Sequence, residues 1–169
     1  MRILVTAASK HGSTDEIAST IGEELERRGF DVTVAPVEHV RSIEGYDAVV
    51  LGSGVYMGRW LKPAKAFADR EAARLASVPV WLFSSGPIGA AASKSEEPAD
   101  RRTGDEIAAA IGAREHRLFA GRLDRKRLNA MERMAVRMVK AEDGDYRPWD
   151  EIRAWAGGIG ETLRPARAG

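Results

Sequence analysis

The sequence predicts an α/β protein in which helices cover both faces of a five-stranded parallel sheet. Apolar runs of strand length alternate with amphipathic runs of helix length along the whole chain. Repeated strand–helix units give parallel sheets, because each helix returns the chain to the same edge before the next strand. The 169 residues suit one domain with its own core, and neither a repeat nor a linker divides them. We therefore expect a single domain over residues 1–169, with a loose tail from about residue 164.

The first part of the chain contains three predicted strands and one helix. Residues 2–6 and 47–53 are apolar runs typical of buried strands, and residues 31–35 alternate like a strand with one exposed face. Residues 14–28 have the apolar periodicity of a helix, which Gly29 is expected to end. This order places a helical crossover between the first two strands.

The remainder of the chain continues the alternation. Strands are predicted at residues 78–84 and 116–123, and helices at residues 63–75, 104–111, 125–141 and 148–163. Pro63 suits the first turn of its helix, where no N–H is needed. Residues 86–103 form a polar connection rich in Gly, Ala, Ser and Glu. The expected architecture is a three-layer α/β/α sandwich.

The loop after the first strand is the most informative segment. It combines hydroxyl side chains with one glycine and one lysine, in the order Ser9, Lys10, His11, Gly12, Ser13, Thr14. The spacing Ser13-x-x-Glu16 predicts a capping box, and therefore a helix that begins at this loop. Free N–H groups and the helix dipole favour an anion there, so the loop predicts a phosphate site, although any α/β protein can show a capped helix here. It has neither the glycine pattern of dinucleotide-binding folds nor that of P-loop NTPases.

Two further loops are expected at the same edge of the sheet, because ligands of parallel sheets bind beyond the carboxyl ends of the strands. The loop at residues 52–60 combines glycines, which let the backbone approach a flat ring, with aromatic and thioether side chains. The loop at residues 84–89 can hydrogen-bond the edge of such a ring. The candidate ring-binding residues are Ser53, Gly54, Val55, Tyr56, Met57, Gly58 and Trp60, followed by Ser84, Ser85, Gly86 and Pro87. The alternative is a glycine-rich turn whose aromatic side chains cap the next helix.

Composition excludes several classes of function. The chain has no cysteine, which excludes thiolate metal sites, iron–sulfur clusters, thiol redox chemistry and disulfides. The three histidines, His11, His39 and His116, are far apart and form no metal-binding pattern, so we expect no metal. The formal net charge of +1 disfavours nucleic-acid binding. No long apolar run is present, and we expect a cytoplasmic protein.

Segments spread along the chain together resemble one known family. They are residues 9–14 and 16–18, residues 46–53, residues 57–60 with Phe67, residues 119–123 and residues 145–149. They resemble the flavodoxin family, and most closely its branch of menaquinone-dependent protoporphyrinogen IX dehydrogenases. The resemblance implies the strand order 2-1-3-4-5 and an FMN cofactor, with its phosphate at residues 9–14 and its ring between the other two loops. It also implies transfer of reducing equivalents from an organic substrate, such as a porphyrinogen, to a quinone.

Three functions remain open from the sequence. The first is an FMN-dependent oxidoreductase with a small-molecule substrate, and the second is a flavodoxin-type electron carrier for a protein partner. The third is an interaction module that has the fold but no flavin. Dedicated carriers are typically strongly acidic, so the near balance of 26 basic and 25 acidic residues favours the first. We assign no catalytic acid or base, because the flavin itself performs the redox chemistry in such enzymes.

Residues 122–140 form a basic segment, with seven basic and two acidic residues. An apolar face is predicted on the helix at 125–141, formed by Leu128, Met131, Ala135, Met138 and Val139. A basic amphipathic helix can lie on an anionic membrane, so residues 125–140 are a candidate for peripheral membrane contact. The alternative, which is more common, is a helix packed on the core with a solvated basic face.

Overall fold

The computed structural model describes residues 1–86, 98–138 and 142–164, and it has the predicted α/β fold. Five parallel strands lie in the order β2-β1-β3-β5-β6, and a short strand, β4, pairs antiparallel with β3. The strands are β1 (Arg2–Ala8), β2 (Asp31–Pro36), β3 (Ala48–Tyr56), β4 (Arg59–Trp60), β5 (Val80–Gly86) and β6 (Glu115–Ala120). Without β4, which the sequence did not predict, this is the predicted order 2-1-3-4-5, and the fold prediction is confirmed.

Helices cover both faces of the sheet. They are α1 (Ser13–Arg27), α2 (Lys62–Leu75), α3 (Pro98–Ile111), α4 (Ala130–Met138) and α5 (Trp149–Leu163). Successive side chains of a strand point to opposite faces, so Ile3 packs with the layer of α1 and α5, whereas Leu4 packs with the layer of α2 and α3. Within the described ranges, no helix is long and apolar enough to cross a membrane.

The strand register brings three loops to one edge of the sheet. Ala8 at the end of β1 is level with Ser53 in β3, and Ser53 is level with Ser84 in β5. β1 ends at this level, β5 ends two residues further on and β3 three residues further on, so the carboxyl ends of the three strands are neighbours. The sheet therefore presents a shared surface at its carboxyl edge, as expected for this class of fold.

The predicted strand at 116–123 is wrong as a single element. β6 ends at Ala120, and Arg122–Leu123 forms another strand, β7, which pairs antiparallel with β8 (Gly144–Asp145). The break lies at Gly121, where a Cβ atom would be 3.3 Å from the carbonyl oxygen of Gly86. The chain passes so close to the end of β5 that it turns away from the parallel sheet.

The predicted helix at 125–141 begins later than expected. Arg125–Arg127 form a 3-10 turn and Leu128 is extended, so α4 starts only at Ala130. Its start is fixed by a reciprocal cap: the Glu132 N–H donates to Asn129 Oδ1 (2.9 Å), and the Asn129 N–H donates to Glu132 Oε2 (2.8 Å). The apolar face also differs from the prediction, because Val136 is buried whereas Met131 and Met138 are exposed. Val139 and the predicted end of the helix lie outside the described residues.

Candidate functional site

A cavity of about 640 Å³ opens at the carboxyl edge of the sheet. Its volume is in the range of small-molecule sites in proteins. The loop after β1, the end of β3 with the turn that follows it, and the end of β5 form one side, and the segment from Gly121 to Val136 forms the other. Eleven of the residues predicted from sequence line it: Ser9, Lys10, His11, Ser13, Thr14, Gly54, Val55, Tyr56, Met57, Ser85 and Gly86. The three loops chosen from sequence therefore meet at one cavity.

Five other predicted residues lie nearby but do not line this cavity. Gly12 and Gly58 occupy turns with positive φ, and Ser53 is fully buried behind Gly54. Trp60 and Ser84 are buried in the sheet layer below, and Pro87 lies outside the described residues.

The loop at 9–14 leads into α1 through the left-handed backbone of Gly12, and the predicted capping box does not form. The N-cap of α1 is Gly12, with a φ of 85°, and no side chain caps the helix. The Gly12 N–H donates to Ser9 Oγ (3.0 Å), which closes the loop. Ser13 is the first helical residue, so the capping-box prediction is wrong. Its buried hydroxyl has no hydrogen-bond partner among the residues that the structure describes.

A buried arginine fixes the start of α1 from the far end of the chain. Arg147 donates to the Ser13 carbonyl (3.2 Å), to Glu16 (2.7 Å) and to both carboxylate oxygens of Asp145 (2.7 Å each). Its guanidinium lies over the Trp149 ring, 4.4 Å from the centroid. The hydrogen bonds from Arg147 hold the pKa of Asp145 below its ordinary value. The sequence did not predict this contact, because Arg147 is 134 positions away from Ser13 and residues 145–149 showed only a family resemblance.

The loop after β3 is a tight hairpin. Met57 and Gly58 have φ values of 50° and 71°, and Tyr56 pairs with Arg59 across them. Two central residues with positive φ define a type I′ turn, which matches the twist of the two strands. The turn leaves the Met57 side chain 99% exposed at the cavity mouth. Tyr56 is half-buried, and burial, followed by the charge of Glu132, raises its pKa to about 12.

A buried hydrogen-bonded network lies beneath the cavity floor. The Trp60 Nε1–H donates to Ser84 Oγ (2.7 Å), which is also bonded to His116 Nε2 (2.8 Å), and His116 Nδ1 lies 2.7 Å from Asp105 Oδ1. The carboxylate can only accept, so Nδ1 carries a proton and donates to Asp105, while Nε2 shares the second hydrogen bond with the Ser84 hydroxyl. Ser84 is fully buried, so the arrangement is structural and has no access for a substrate.

One contact at the cavity was not predicted from the sequence. The Glu132 carboxylate forms an ion pair with Lys10 and lies 3.4 Å from His11 Nε2. Burial alone would raise the pKa of Glu132, but hydrogen bonds from Lys10, the Asn129 N–H and His11 outweigh it and lower that pKa. Arg127 adds a bond from Nη1 to the His11 carbonyl (3.0 Å). The only signal in the sequence was the Asn129-x-x-Glu132 cap.

The cavity has two chemically different parts. One is polar, with the first turn of α1 and the hydroxyls of Ser9, Ser13 and Thr14. The other is mostly apolar, and it is formed by Val55, Tyr56, Leu123, Leu128 and Val136. Such an arrangement suits an elongated ligand with an anionic group at one end and a flat ring at the other. No cluster of three metal-ligating side chains occurs in the described ranges.

Comparison with known proteins gives one family and several similar structures. The family model for the Flavodoxin domain matches residues 4–148. A flavodoxin from the domain Archaea has a TM-score of 0.63 at 20% identity, covering 96% of this chain and 98% of its own. Flavodoxin 1 from Bacillus cereus has a TM-score of 0.62 at 15% identity, covering 97% and 100%. At these identities the structures show the fold alone.

A curated relative is similar over a shorter range. Protoporphyrinogen IX dehydrogenase [quinone] from Escherichia coli (strain K12) is 33% identical over 86 residues. This alignment covers 50% of the present chain and 48% of the relative. The chain therefore matches about half the length of the curated relatives.

Proposed function

The chain belongs to the flavodoxin family, and from this membership we propose that it binds FMN in the cavity at the carboxyl edge of the sheet and acts as an oxidoreductase. The observation that carries the proposal is the buried Ser13 hydroxyl, which has no partner in the described part of the chain and lies at the polar end of the cavity. A phosphate there would supply the missing acceptor, so the residues present fit the group.

Each part of the cavity has a role in this proposal. The hydroxyls of Ser9, Ser13 and Thr14 and the free N–H groups of the first turn of α1 bind the phosphate. Val55 and Tyr56 exclude water from the ring, and the backbone at Ser85 and Gly86 offers hydrogen bonds to its edge. FMN, when bound, supplies the transfer of electrons, for which the protein has no group of its own.

The test is a comparison of FMN with riboflavin, which lacks the phosphate. Titration into flavin-free protein, followed by flavin fluorescence, is expected to give at least about tenfold tighter binding of FMN, since each charge-assisted hydrogen bond contributes about 1.5–3 kcal/mol. Thr14→Ala is expected to weaken FMN and leave riboflavin unchanged. Equal affinity for the two flavins would reject the phosphate site, and binding of neither would favour an interaction module.

We further propose that the electrons pass from an organic substrate, of which a porphyrinogen is one example, to a quinone such as menaquinone. Support comes from the relative named Protoporphyrinogen IX dehydrogenase [quinone], at 33% identity over half of the chain. The near-neutral net charge also disfavours a carrier that docks on basic proteins. Anaerobic reoxidation of the reduced protein by a soluble menaquinone analogue tests this proposal. Reoxidation only by a redox protein would favour the electron carrier instead.

Membrane contact by α4 is a further part of the proposal, because it would give access to a quinone dissolved in lipid. Met131, Met134 and Met138 are exposed, and Arg133 and Arg137 are exposed beside them. Cationic and apolar side chains on one short helix suit the interface of an anionic bilayer. In this proposal the protein works in the cytoplasm, at the inner face of the membrane.

A further inference from the structure

Helix α4 covers one side of the cavity but packs little against the main hydrophobic core. Of its nine residues only Val136 is buried, in a small cluster with Leu123 and Leu128 that is separate from both layers of the main core. The remaining described contacts between α4 and the loop after β1 are polar, through Glu132. Elements with few buried apolar contacts open at low free-energy cost.

The Glu132 carboxylate already contacts the Lys10 ammonium and the His11 imidazole of that loop. It is bonded to Lys10 and to His11, and all three residues line the cavity. The lowered pKa of Glu132 keeps it ionised at neutral pH. The side chain of Glu132 is only 14% exposed, so its attraction to Lys10 is less screened by solvent than that of a surface pair.

The Glu132 carboxylate and a bound phosphate would then compete for the same side chains, those of Lys10 and His11. Lys10 and His11 belong to the loop in which we place the phosphate, and Glu132 already neutralises Lys10 and lies 3.4 Å from His11 Nε2. A phosphate that enters this loop is repelled by the Glu132 carboxylate unless the carboxylate withdraws. Since the reciprocal cap ties Glu132 to Asn129, the carboxylate moves most easily together with the first turn of α4.

We propose that Glu132 competes with the phosphate group of the ligand for Lys10 and His11, so that α4 opens as that group binds. The inference rests on the proposed phosphate site and adds a gate to it. Glu132 thereby lowers the affinity for phosphorylated ligands and leaves non-phosphorylated ones unaffected. A phosphorylated ligand that enters the site would free α4 for other contacts.

The variant Glu132→Gln tests the competition. It removes the charge but keeps the oxygen that caps α4, since glutamine serves as well as glutamate at this position of a capping box. FMN is expected to bind about tenfold more tightly to E132Q than to the unmodified protein, while riboflavin binds both equally. Glu44→Gln is the matched control, because Glu44 is exposed and precedes β3 at the opposite edge of the sheet.

A second measurement follows α4 directly. Amide hydrogen exchange in residues 130–138 is expected to become faster when FMN is added to the unmodified protein, whereas exchange in residues 9–14 becomes slower. In E132Q without ligand, α4 should already exchange faster than in the unmodified protein. Inorganic phosphate at millimolar concentration should stabilise E132Q more than E44Q, which tests the competition without flavin.

The outcomes separate the gate from the proposed function. If the unmodified protein binds FMN but E132Q binds it equally or more weakly, Glu132 orients Lys10 rather than competing with the ligand, and the gate is rejected. Slower exchange of α4 on FMN binding rejects it as well. If neither protein responds to FMN or to phosphate, the phosphate site fails, and the gate fails with it.

Discussion

Ser84 in β5 and His116 in β6 are joined by a buried hydrogen bond of 2.8 Å between Ser84 Oγ and His116 Nε2. The bond links two neighbouring strands through side chains, in addition to the backbone ladder. Trp60, which ends β4, donates to the same hydroxyl, so the short hairpin after β3 is tied to β5 and, through Ser84, to His116 in β6. The network thus fixes the strand ends from which the candidate ring-binding loops depart.

His116→Ala is expected to lower the free energy of unfolding by about 1–3 kcal/mol, because Ser84 and Asp105 each lose one hydrogen-bond partner. Gly104 packs directly against the imidazole, so the substitution also leaves a cavity. Urea denaturation measures the change. His39→Ala, at an exposed position, is the control and should change the value by less than about 0.5 kcal/mol. A loss in H116A no larger than in this control would contradict the role of the network.

Tyr56 is expected to be the last tyrosine to ionise, with a pKa of about 12, because burial and the nearby Glu132 charge disfavour the phenolate. Alkaline titration of tyrosinate absorbance measures this, and Tyr56→Phe should remove the late step. A pKa raised in the folded state contributes stability below pH 10, the ordinary value, and that contribution is lost as the pH rises towards 12. E132Q should lower the pKa of Tyr56. A Tyr56 pKa close to the ordinary value of 10.0 in the folded protein would contradict the position of Tyr56 in the cavity wall.

Arg147→Lys is expected to cost about 1.5–3 kcal/mol of unfolding free energy at neutral pH, because lysine cannot form the paired bonds to Asp145 and Glu16. The pKa of Asp145 is lowered by Arg147, so its contribution to stability is present above the ordinary value of 3.8 and is lost as the pH falls through the folded-state pKa. The difference in unfolding free energy between Arg147→Lys and the unmodified protein should therefore become smaller at acidic pH. Urea midpoints at neutral and acidic pH measure it, and a gap that stays constant would contradict the assignment.

Sedimentation with anionic vesicles tests the membrane surface. The protein is expected to pellet at low salt and to dissociate as salt rises, since each surface cation contributes about 1 kcal/mol and is screened within a Debye length. Charge reversal at Lys126, Arg133 and Arg137 should abolish pelleting without unfolding, because all three are exposed. Reversal at Arg41, exposed on another part of the surface, is the control. If the unmodified protein does not pellet, a soluble electron acceptor is the better proposal.

The architecture could be predicted because the sequence patterns that indicate strands and helices each lie within a short segment of the chain. The apolar run of β1 and the periodicity of α1 each need only a dozen neighbouring residues to be recognised. The three cavity loops followed from general topology, since parallel strands place their carboxyl ends at one edge. These loops could therefore be placed at the same edge without knowing which residues from distant parts of the chain contact them.

The errors have physical reasons. Hairpin β3–β4 was missed because Met57 occupies a positive-φ position that usually signals itself by glycine or asparagine. The capping box was misplaced because Gly12 takes the cap and Ser13 enters the helix. The pair of Lys10 and Glu132 is separated by 122 positions, so only the folded chain reveals it.

The hold of Arg147 on Ser13 and Glu16 also has a consequence for the order of assembly during biosynthesis. The loop at 9–14 leaves the ribosome before the arginine that fixes it, because Arg147 lies more than a hundred residues later in the chain. The strand and helix on either side of the loop can form while the chain is still growing. A nascent chain arrested before residue 147 would therefore carry this loop without the hydrogen bonds from Arg147, and the proposed phosphate site would be complete only after that residue has been made.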